Sequence, residues 1–276
     1  MTFMLAGVMG WPISHSLSPR LHGFWLREHA ISGAYLPLAV SAEQLRPAIA
    51  GLSALGFRGC NVTVPHKEAV MLLMDEVSET ARRIRAVNTV VVREDGRLFG
   101  DSSDGPGFLQ ALNEEAPSWP HERPAVVLGA GGAARAVVDA LHQAGVTEIR
   151  VINRTPAKAE RLAGDLGLNL RVYTWGQASL ALVGAGLLVN TTSLGMTGQP
   201  ELRLDLDGLP LDAVVFDIVY KPLETALLKR AALRGHPCVG GLGMLMHQAV
   251  PGFAAWFGTT PRVTVDLRAH LLEALT

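Results

Sequence analysis

The sequence predicts an α/β protein of two domains, each built on a mostly parallel sheet. Three observations lead there. Short apolar runs alternate with helical patterns over the first hundred residues, a second βα series starts at Pro124, and the pattern turns helical beyond Gly243. Alternation of this kind calls for parallel strands joined by crossover helices. At 276 residues the chain is also long enough for two cores, since single cores stop growing beyond about 250–300 residues.

In the first series, residues 3–9 read as a strand. They are apolar but follow no basic segment, so they look like a buried strand and not a signal peptide. A helix is expected over 18–30, with Ser18 as N-cap and Pro19 at the first helical position. Residues 34–40 form a second strand, after which Ser41 caps another helix, with Gln44 placed as in a capping box. The third strand covers 58–64 and stops at Pro65, where a new helix can begin. Segments 87–93 and 97–100 flank Glu94-Asp95-Gly96, whose Asp-Gly step signals a hairpin. A helix over 106–115 follows, and the proline-containing stretch 116–124 reads as the crossover between domains.

The second series predicts six strands, at 125–128, 148–153, 169–173, 186–190, 213–219 and 237–240. Six is the number a doubly wound dinucleotide fold needs. The first turn of the series is its most informative part. Val126-Val127-Leu128 ends at Gly129-Ala130-Gly131-Gly132-Ala133 and reopens as a helix. Bare N–H groups and the positive end of the helix dipole suit a diphosphate at that point. Gly129 and Gly131 take the first two places of G-x-G-x-x-G/A. Ala134 takes the third, where a small side chain lets helix and strand pack closely. This is the pattern of a Rossmann domain.

NAD-binding turns of this kind carry an Asp or Glu at the end of the second strand for the ribose 2′-hydroxyl. Here that strand ends in Asn153-Arg154-Thr155, with Lys158 beyond and no carboxylate among 149–159. An Arg and a nearby Lys suit a 2′-phosphate, which a carboxylate would repel. The cofactor is therefore expected to be NADP, although Arg154 and Lys158 also fit ordinary surface charges at a helix start.

Reduction of a carbonyl needs a proton donor close to it. A Tyr-x-x-x-Lys pair is missing: Tyr35, Tyr173 and Tyr220 are followed four residues on by Ala39, Gln177 and Glu224. Catalytic zinc is not expected from two isolated cysteines without a His-x-x-x-His or Glu-x-x-His cluster. Asn61-Val62-Thr63-Val64-Pro65-His66-Lys67 does bring a lysine to an expected helix start, and Asp104 stands at the head of a later helix. A lysine there opposes the dipole, so a partner carboxylate such as Asp104 makes sense. Such a pair can protonate a ketone and stabilise the developing alkoxide. The spacing fits a salt bridge at the domain crossover equally well.

Eight motifs, in order, resemble the shikimate dehydrogenase family over residues 7–257. They are His15-Ser16-Leu17-Ser18-Pro19, the segment 61–67, Ala86-Val87-Asn88-Thr89, 101–105, 129–135, Asn153-Arg154-Thr155, 190–196, and Gly241-Leu242-Gly243-Met244-Leu245 with Gln248. The resemblance implies NADPH-dependent, reversible reduction of 3-dehydroshikimate to shikimate, a step toward chorismate and the aromatic amino acids. It implies that Ser16 and Ser18 bind the substrate carboxylate, and that Thr63, Asn88 and Gln248 hold ring hydroxyls. Lys67 would be the acid/base, and Asp104 would orient it and bind a hydroxyl. Tyr220 would line the substrate, while Ile218, Gly241 and Met244 would border the nicotinamide; core packing explains these apolar positions equally well. The chain departs from the family's Asp-Asn-Thr-Asp-Gly with Asp101-Ser102-Ser103-Asp104-Gly105, and carries His66 where a bulky aromatic is usual. His66 reads as a packing variation, and His15 and His247 receive no role. A quinate/shikimate dehydrogenase of broader specificity and a non-catalytic dinucleotide sensor are the alternatives.

The expected layout is a substrate domain over 1–104, an NADP-binding domain over 105–241, and C-terminal helices over 242–276 that return to the first domain. The active site would lie in the cleft between domains. A net charge of −1 gives no sign of a nucleic-acid-binding field. Cys60 and Cys238 suggest no disulfide framework, which fits a reducing cytosol. The uncharged stretches 172–200 and 235–261 are broken by Gly, Pro and polar residues, so they read as core and not as membrane spans. A cytoplasmic monomer or homodimer acting on a small molecule is expected.

Overall fold

A computed structural model of the chain describes residues 3–275; residues 1, 2 and 276, at the ends of the predicted domains, lie outside it. The chain divides into two units, Met1–Ser103 with Gln248–Thr276, and Asp104–His247. The divisions fall at 103/104 and 247/248, where the sequence suggested 104/105 and 241/242.

In the first unit, strands β1 (Met4–Gly10), β2 (Gly33–Ala39) and β3 (Phe57–Val62) are parallel neighbours, with helices α1 (Ser18–Glu28) and α2 (Leu45–Ala54) as crossovers. The remaining strands are β4 (Glu76–Val77), β5 (Thr89–Val92) and β6 (Leu98–Asp101), with the short α3 (Glu79–Ile84) after β4. The sheet order is β2-β1-β3-β5-β6-β4. β5 is antiparallel to both β3 and β6, and β4 is parallel to β6, so the sheet is mixed but mostly parallel. The predicted hairpin joins β5 to β6, closed by Arg93 N–H to the Arg97 carbonyl. Leu45, Ile49 and Leu52 of α2 cover one face, over Cys60, Val62 and Val90.

The C-terminal part of the chain supplies α9 (Gly241–Phe257) and α10 (Val265–Leu272). Phe253 of α9 meets Trp25 of α1 edge to face at 5.3 Å, and Trp256 donates its indole N–H to the Val90 carbonyl at 2.9 Å. Arg20 of α1 donates to the His270 carbonyl of α10 at 2.8 Å. These contacts bring both helices to the first unit's strands and α1.

The second unit contains α4 (Asp104–Glu115), β7 (Ala125–Leu128), α5 (Gly132–Gln143), β8 (Ile149–Ile152), α6 (Pro156–Leu166) and β9 (Arg171–Tyr173). It continues with α7 (Ala178–Leu182), β10 (Leu187–Asn190), β11 (Val214–Asp217), α8 (Ala226–Leu233) and β12 (Cys238–Gly240). The order β12-β11-β10-β7-β8-β9 is parallel throughout. Counted within the unit this is the doubly wound order 3-2-1-4-5-6. Both faces are buried over the central strands, which is why β7, β10 and β11 are largely apolar runs. Val127, Val151, Val189 and Phe216 enter one core, and Val126, Leu128, Leu188 and Val215 the other.

Several local expectations fail. Leu17, not Ser18, is the N-cap of α1, and Ser18 is its first residue. The Ser16 hydroxyl instead accepts from Ser18 N–H at 3.3 Å. Ser41 makes no capping box: its hydroxyl donates to Glu43 at 2.6 Å, and only a 3₁₀ turn, Ala42–Gln44, follows before α2. No α-helix begins at Pro65, because turns occupy that segment and a 3₁₀ turn starts at Val70. Stretch 116–124 is not the domain crossover. α4 belongs to the second unit, where Phe108 and Leu112 are fully buried and Phe108 packs on Phe216 at 4.8 Å. Among the described residues no helix is long and apolar enough to cross a membrane.

Candidate active site

In the second unit, the expected diphosphate turn joins β7 to α5. Gly129 holds φ +110°, which L side chains rarely adopt, and an added Cβ would lie 2.9 Å from the Thr191 hydroxyl. At Gly131, the N-cap of α5, an added Cβ would meet nothing within 4 Å. The helix start therefore faces open space bounded by Gly131, Gly132 and Ala133, with Ala130 beside it, which fits a phosphate. Ala134 is fully buried against the sheet, as the third position requires.

β8 ends beside this turn. Asn153 donates to the Thr155 carbonyl at 2.8 Å, bracing the loop that presents Arg154. Arg154, Thr155 and Lys158 are exposed, and α6 starts at Pro156. Among the described residues neither Arg154 nor Lys158 has an ion-pair partner, so both charges face solvent where a 2′-phosphate would sit. The residues present fit NADP.

At the ends of β11 and β12, Ile218 and Gly241 lie in close contact. A Cβ on Gly241 would fall 2.0 Å from the Ile218 carbonyl oxygen, so no other residue fits there. Met244, one turn along α9, is buried in the apolar cluster that Ile218 packs against. Tyr220 is half-buried two residues beyond Ile218. Asp104 is buried as the first residue of α4.

In the first unit, parallel pairing brings the ends of β1 and β3 together: Thr63 N–H donates to Met9 O at 2.9 Å and Trp11 N–H to Val64 O at 3.1 Å. Ser16 and Ser18 follow one strand, and Thr63 and Lys67 the other. Lys67 is half-buried in a turn whose carbonyl accepts from Val87 N–H at 2.8 Å. Without a helix there, the dipole argument for a partner carboxylate falls away. His66 is buried and donates Nε2–H to the Val40 carbonyl at 2.7 Å, consistent with packing. His247 pairs with Glu114 at 2.8 Å.

Asn88 and Gln248 belong to one buried polar network. Asn88 donates to the Ser103 hydroxyl at 3.0 Å and to Gln248 Oε1 at 3.1 Å, and its Oδ1 accepts from Thr89 at 2.8 Å and Ser103 N–H at 2.9 Å. Ser103 donates to the Gln248 carbonyl at 2.7 Å. Asn61 donates to the Asn88 carbonyl and accepts from the Tyr35 hydroxyl at 2.6 Å. These contacts join amides and hydroxyls. Such groups recognise hydroxyls as both donor and acceptor.

Two family models match: "Shikimate dehydrogenase substrate binding domain" over residues 8–90, and "Shikimate / quinate 5-dehydrogenase" over 113–194. A shikimate dehydrogenase (NADP(+)) of Paramagnetospirillum magneticum is 60% identical over 270 residues, 98% of each chain. The chain belongs to the shikimate dehydrogenase family. Another member, from Rhodospirillum rubrum, is 56% identical over 97% of this chain and 96% of its own. The shikimate 5-dehydrogenase of Thermus thermophilus, solved in complex with NADP(H) and shikimate, matches with a TM-score of 0.87 at 39% identity, over 99% of this chain and 100% of that one.

Family motifs pointed to Asn88 and Gln248, but Tyr35, Asn61 and Ser103, which join or extend their network, went unassigned. So did Asn190, Thr191, Asp217 and Thr225 in the second unit. The signal available was polar residues ending otherwise apolar strands, as in Leu187–Asn190 and Val214–Asp217.

Proposed function

We propose that the chain catalyses the reversible, NADPH-dependent reduction of 3-dehydroshikimate to shikimate, with Lys67 and Asp104 as its acid/base pair. Bound NADPH supplies the hydride that adds to the ketone carbon. The Lys67 ammonium gives its proton to the ketone oxygen, and in the oxidative direction the amine takes it back. Asp104 orients Lys67 and accepts from a ring hydroxyl. Ser16 and Ser18 bind the carboxylate, Thr63, Asn88 and Gln248 the hydroxyls, and Tyr220 lines the ring. On the cofactor side, residues 129–133 hold the diphosphate, Asn153, Arg154, Thr155 and Lys158 the 2′-phosphate end, and Ile218, Gly241 and Met244 the nicotinamide. The domain assignment follows: substrate in the first unit, NADP in the second. A cytoplasmic location, as a monomer or homodimer serving aromatic amino-acid synthesis, belongs to the same reading.

The amides and hydroxyls around Asn88 support this most directly, since such groups recognise the ring hydroxyls of the substrate as both donor and acceptor. The test is absorbance at 340 nm with shikimate or quinate and NADP⁺ or NAD⁺. Turnover is expected with shikimate and NADP⁺ by a wide margin. Efficient quinate oxidation, or equal kcat/KM with NAD⁺, would favour the broader enzyme. NADP⁺ binding without shikimate-dependent NADPH formation would favour a sensor.

A further inference from the structure

We propose that Asp217 is a positioning residue for the nicotinamide. Its buried carboxylate ties the loop at Ile218 to the glycine turn at Gly129. The proposal rests on the reading of the second unit as the NADP site.

Asp217 ends β11 directly opposite Asn190, which ends β10. It is fully buried and takes three hydrogen bonds: Asn190 Nδ2 to Oδ1 at 2.9 Å, Val219 N–H to Oδ1 at 3.1 Å, and the Thr225 hydroxyl to Oδ2 at 2.7 Å. Each donor holds a further part of the rim. Asn190 also donates to Leu194 O at 3.2 Å, and its Oδ1 accepts from Thr192 N–H at 3.0 Å and the Thr192 hydroxyl at 2.7 Å, which shapes the loop after β10. Thr191 in that loop donates to Leu128 O at 2.6 Å and stands over Gly129. On the other side, Ile218 N–H donates to Asn190 O at 3.1 Å, and Ile218 packs against Gly241. Thr225 caps α8 through Leu228 N–H. A continuous chain of contacts thus runs from the diphosphate turn through Thr191, Asn190 and Asp217 to Ile218.

Packing of the sheet does not call for a carboxylate here. β7 and β8 end in Leu128 and Ile152, apolar and fully buried. The carboxylate is held at a cost, because burial pushes its pKa up to about 6 against the three hydrogen bonds. What it offers is acceptors only. An amide in its place keeps one acceptor oxygen but turns its N–H toward Thr225, whose hydroxyl proton then loses its acceptor.

The test compares Asp217→Asn with the natural enzyme by calorimetry, using NADP⁺ and the fragment adenosine 2′,5′-bisphosphate, which keeps the 2′-phosphate and one phosphate of the diphosphate but lacks the nicotinamide half. Positioning predicts at least a tenfold loss of NADP⁺ affinity and of kcat, with fragment affinity unchanged within twofold. It also predicts a larger primary deuterium isotope effect with NADPH labelled at the transferred position. Thr225→Val should move the same way and Thr225→Ser should stay near the natural enzyme; this pair decides the matter if Asp217→Asn does not fold. Equal loss of both ligands would mean general loosening and would overturn the proposal, as would unchanged NADP⁺ affinity and kcat. If the natural enzyme binds neither ligand, the NADP reading itself fails.

Discussion

The two units arrange the polar groups at their strand ends in different ways. In the first, a chain of amides and hydroxyls links Tyr35 through Asn61 and Asn88 to Ser103 and Gln248. The second concentrates its polar contacts on one carboxylate, Asp217. Amides and hydroxyls both donate and accept, so they can exchange a protein partner for a substrate hydroxyl. A buried carboxylate only accepts, and losing a partner costs it more. The first arrangement suits groups that meet a ligand; the second suits a fixed frame.

That division predicts substitutions whose effects stay on one side. The largest effect is expected from Lys67→Ala, which should lower kcat by roughly 10³-fold while NADP⁺ affinity, measured by calorimetry, stays unchanged. Full turnover with NADPH would sink the proposed chemistry. Next is Asn88→Ala, which leaves several buried groups unpaired at about 1–3 kcal/mol. A loss of up to about 100-fold in kcat/KM for shikimate is expected, again with NADP⁺ affinity intact. A matching fall in NADP⁺ affinity would break the comparison. Arg154→Ala acts on the other side: kcat/KM for NADPH should drop about tenfold, a charged hydrogen bond's worth, while NADH use and shikimate KM hold. Unchanged discrimination between NADPH and NADH would return Arg154 to an ordinary surface charge.

Legibility differs between the units for a physical reason. In the second, β7, β10 and β11 are buried throughout, so strands such as Ala125–Leu128 and Leu187–Asn190 stood out as apolar runs, and all six were found within two residues. The first unit's sheet turns antiparallel at β5, and two of its connections contain short 3₁₀ turns that periodicity does not reveal. Ser41 and Ser18 carried cap chemistry, yet the hydroxyl of one found Glu43 and the helix start of the other was taken by Leu17. The helix at Pro65 was a misreading of the same kind. Pro-His-Lys after a strand looks like a helix start, but the backbone closes as turns from Thr63 to Val70. At the sites, motifs located Lys67, Asn88 and Gln248. Asn61, Ser103 and Asp217 emerge only when partners up to 145 residues apart are brought together.

Acid should separate the units, and His22 provides the smallest but sharpest test. This imidazole is fully buried, stacked on Tyr35 at 3.8 Å and edge-on to Trp25 at 5.7 Å, and neither ring nitrogen makes a hydrogen bond among the described residues. Burial lowers its pKa to about 3, with the nearby Asn61 amide opposing only in part. Between about pH 6.5 and 3 the unfolded chain therefore holds more protons than the native one, and stability falls as pH falls. Asp217 has the opposite sign. Its raised pKa makes the native state the better proton binder between 3.8 and about 6, so acid stabilises the second unit through it. His236 in that unit, its pKa lowered by burial, opposes Asp217, since acid destabilises the native state through it. From pH 7 to 5, His22 should cost the first unit about 2 kcal/mol, or roughly 30-fold in hydrogen-exchange protection. His22→Phe keeps a ring against Tyr35 and removes the titration. Subtracting the variant's pH response from the natural protein's cancels every other group. The difference should appear in amides of β1, β2 and α1 and be absent from β7, β10 and β11. An equal difference in both units would mean that acid acts on the whole chain, and that the contrast between the amide network and the carboxylate hub does not extend to stability.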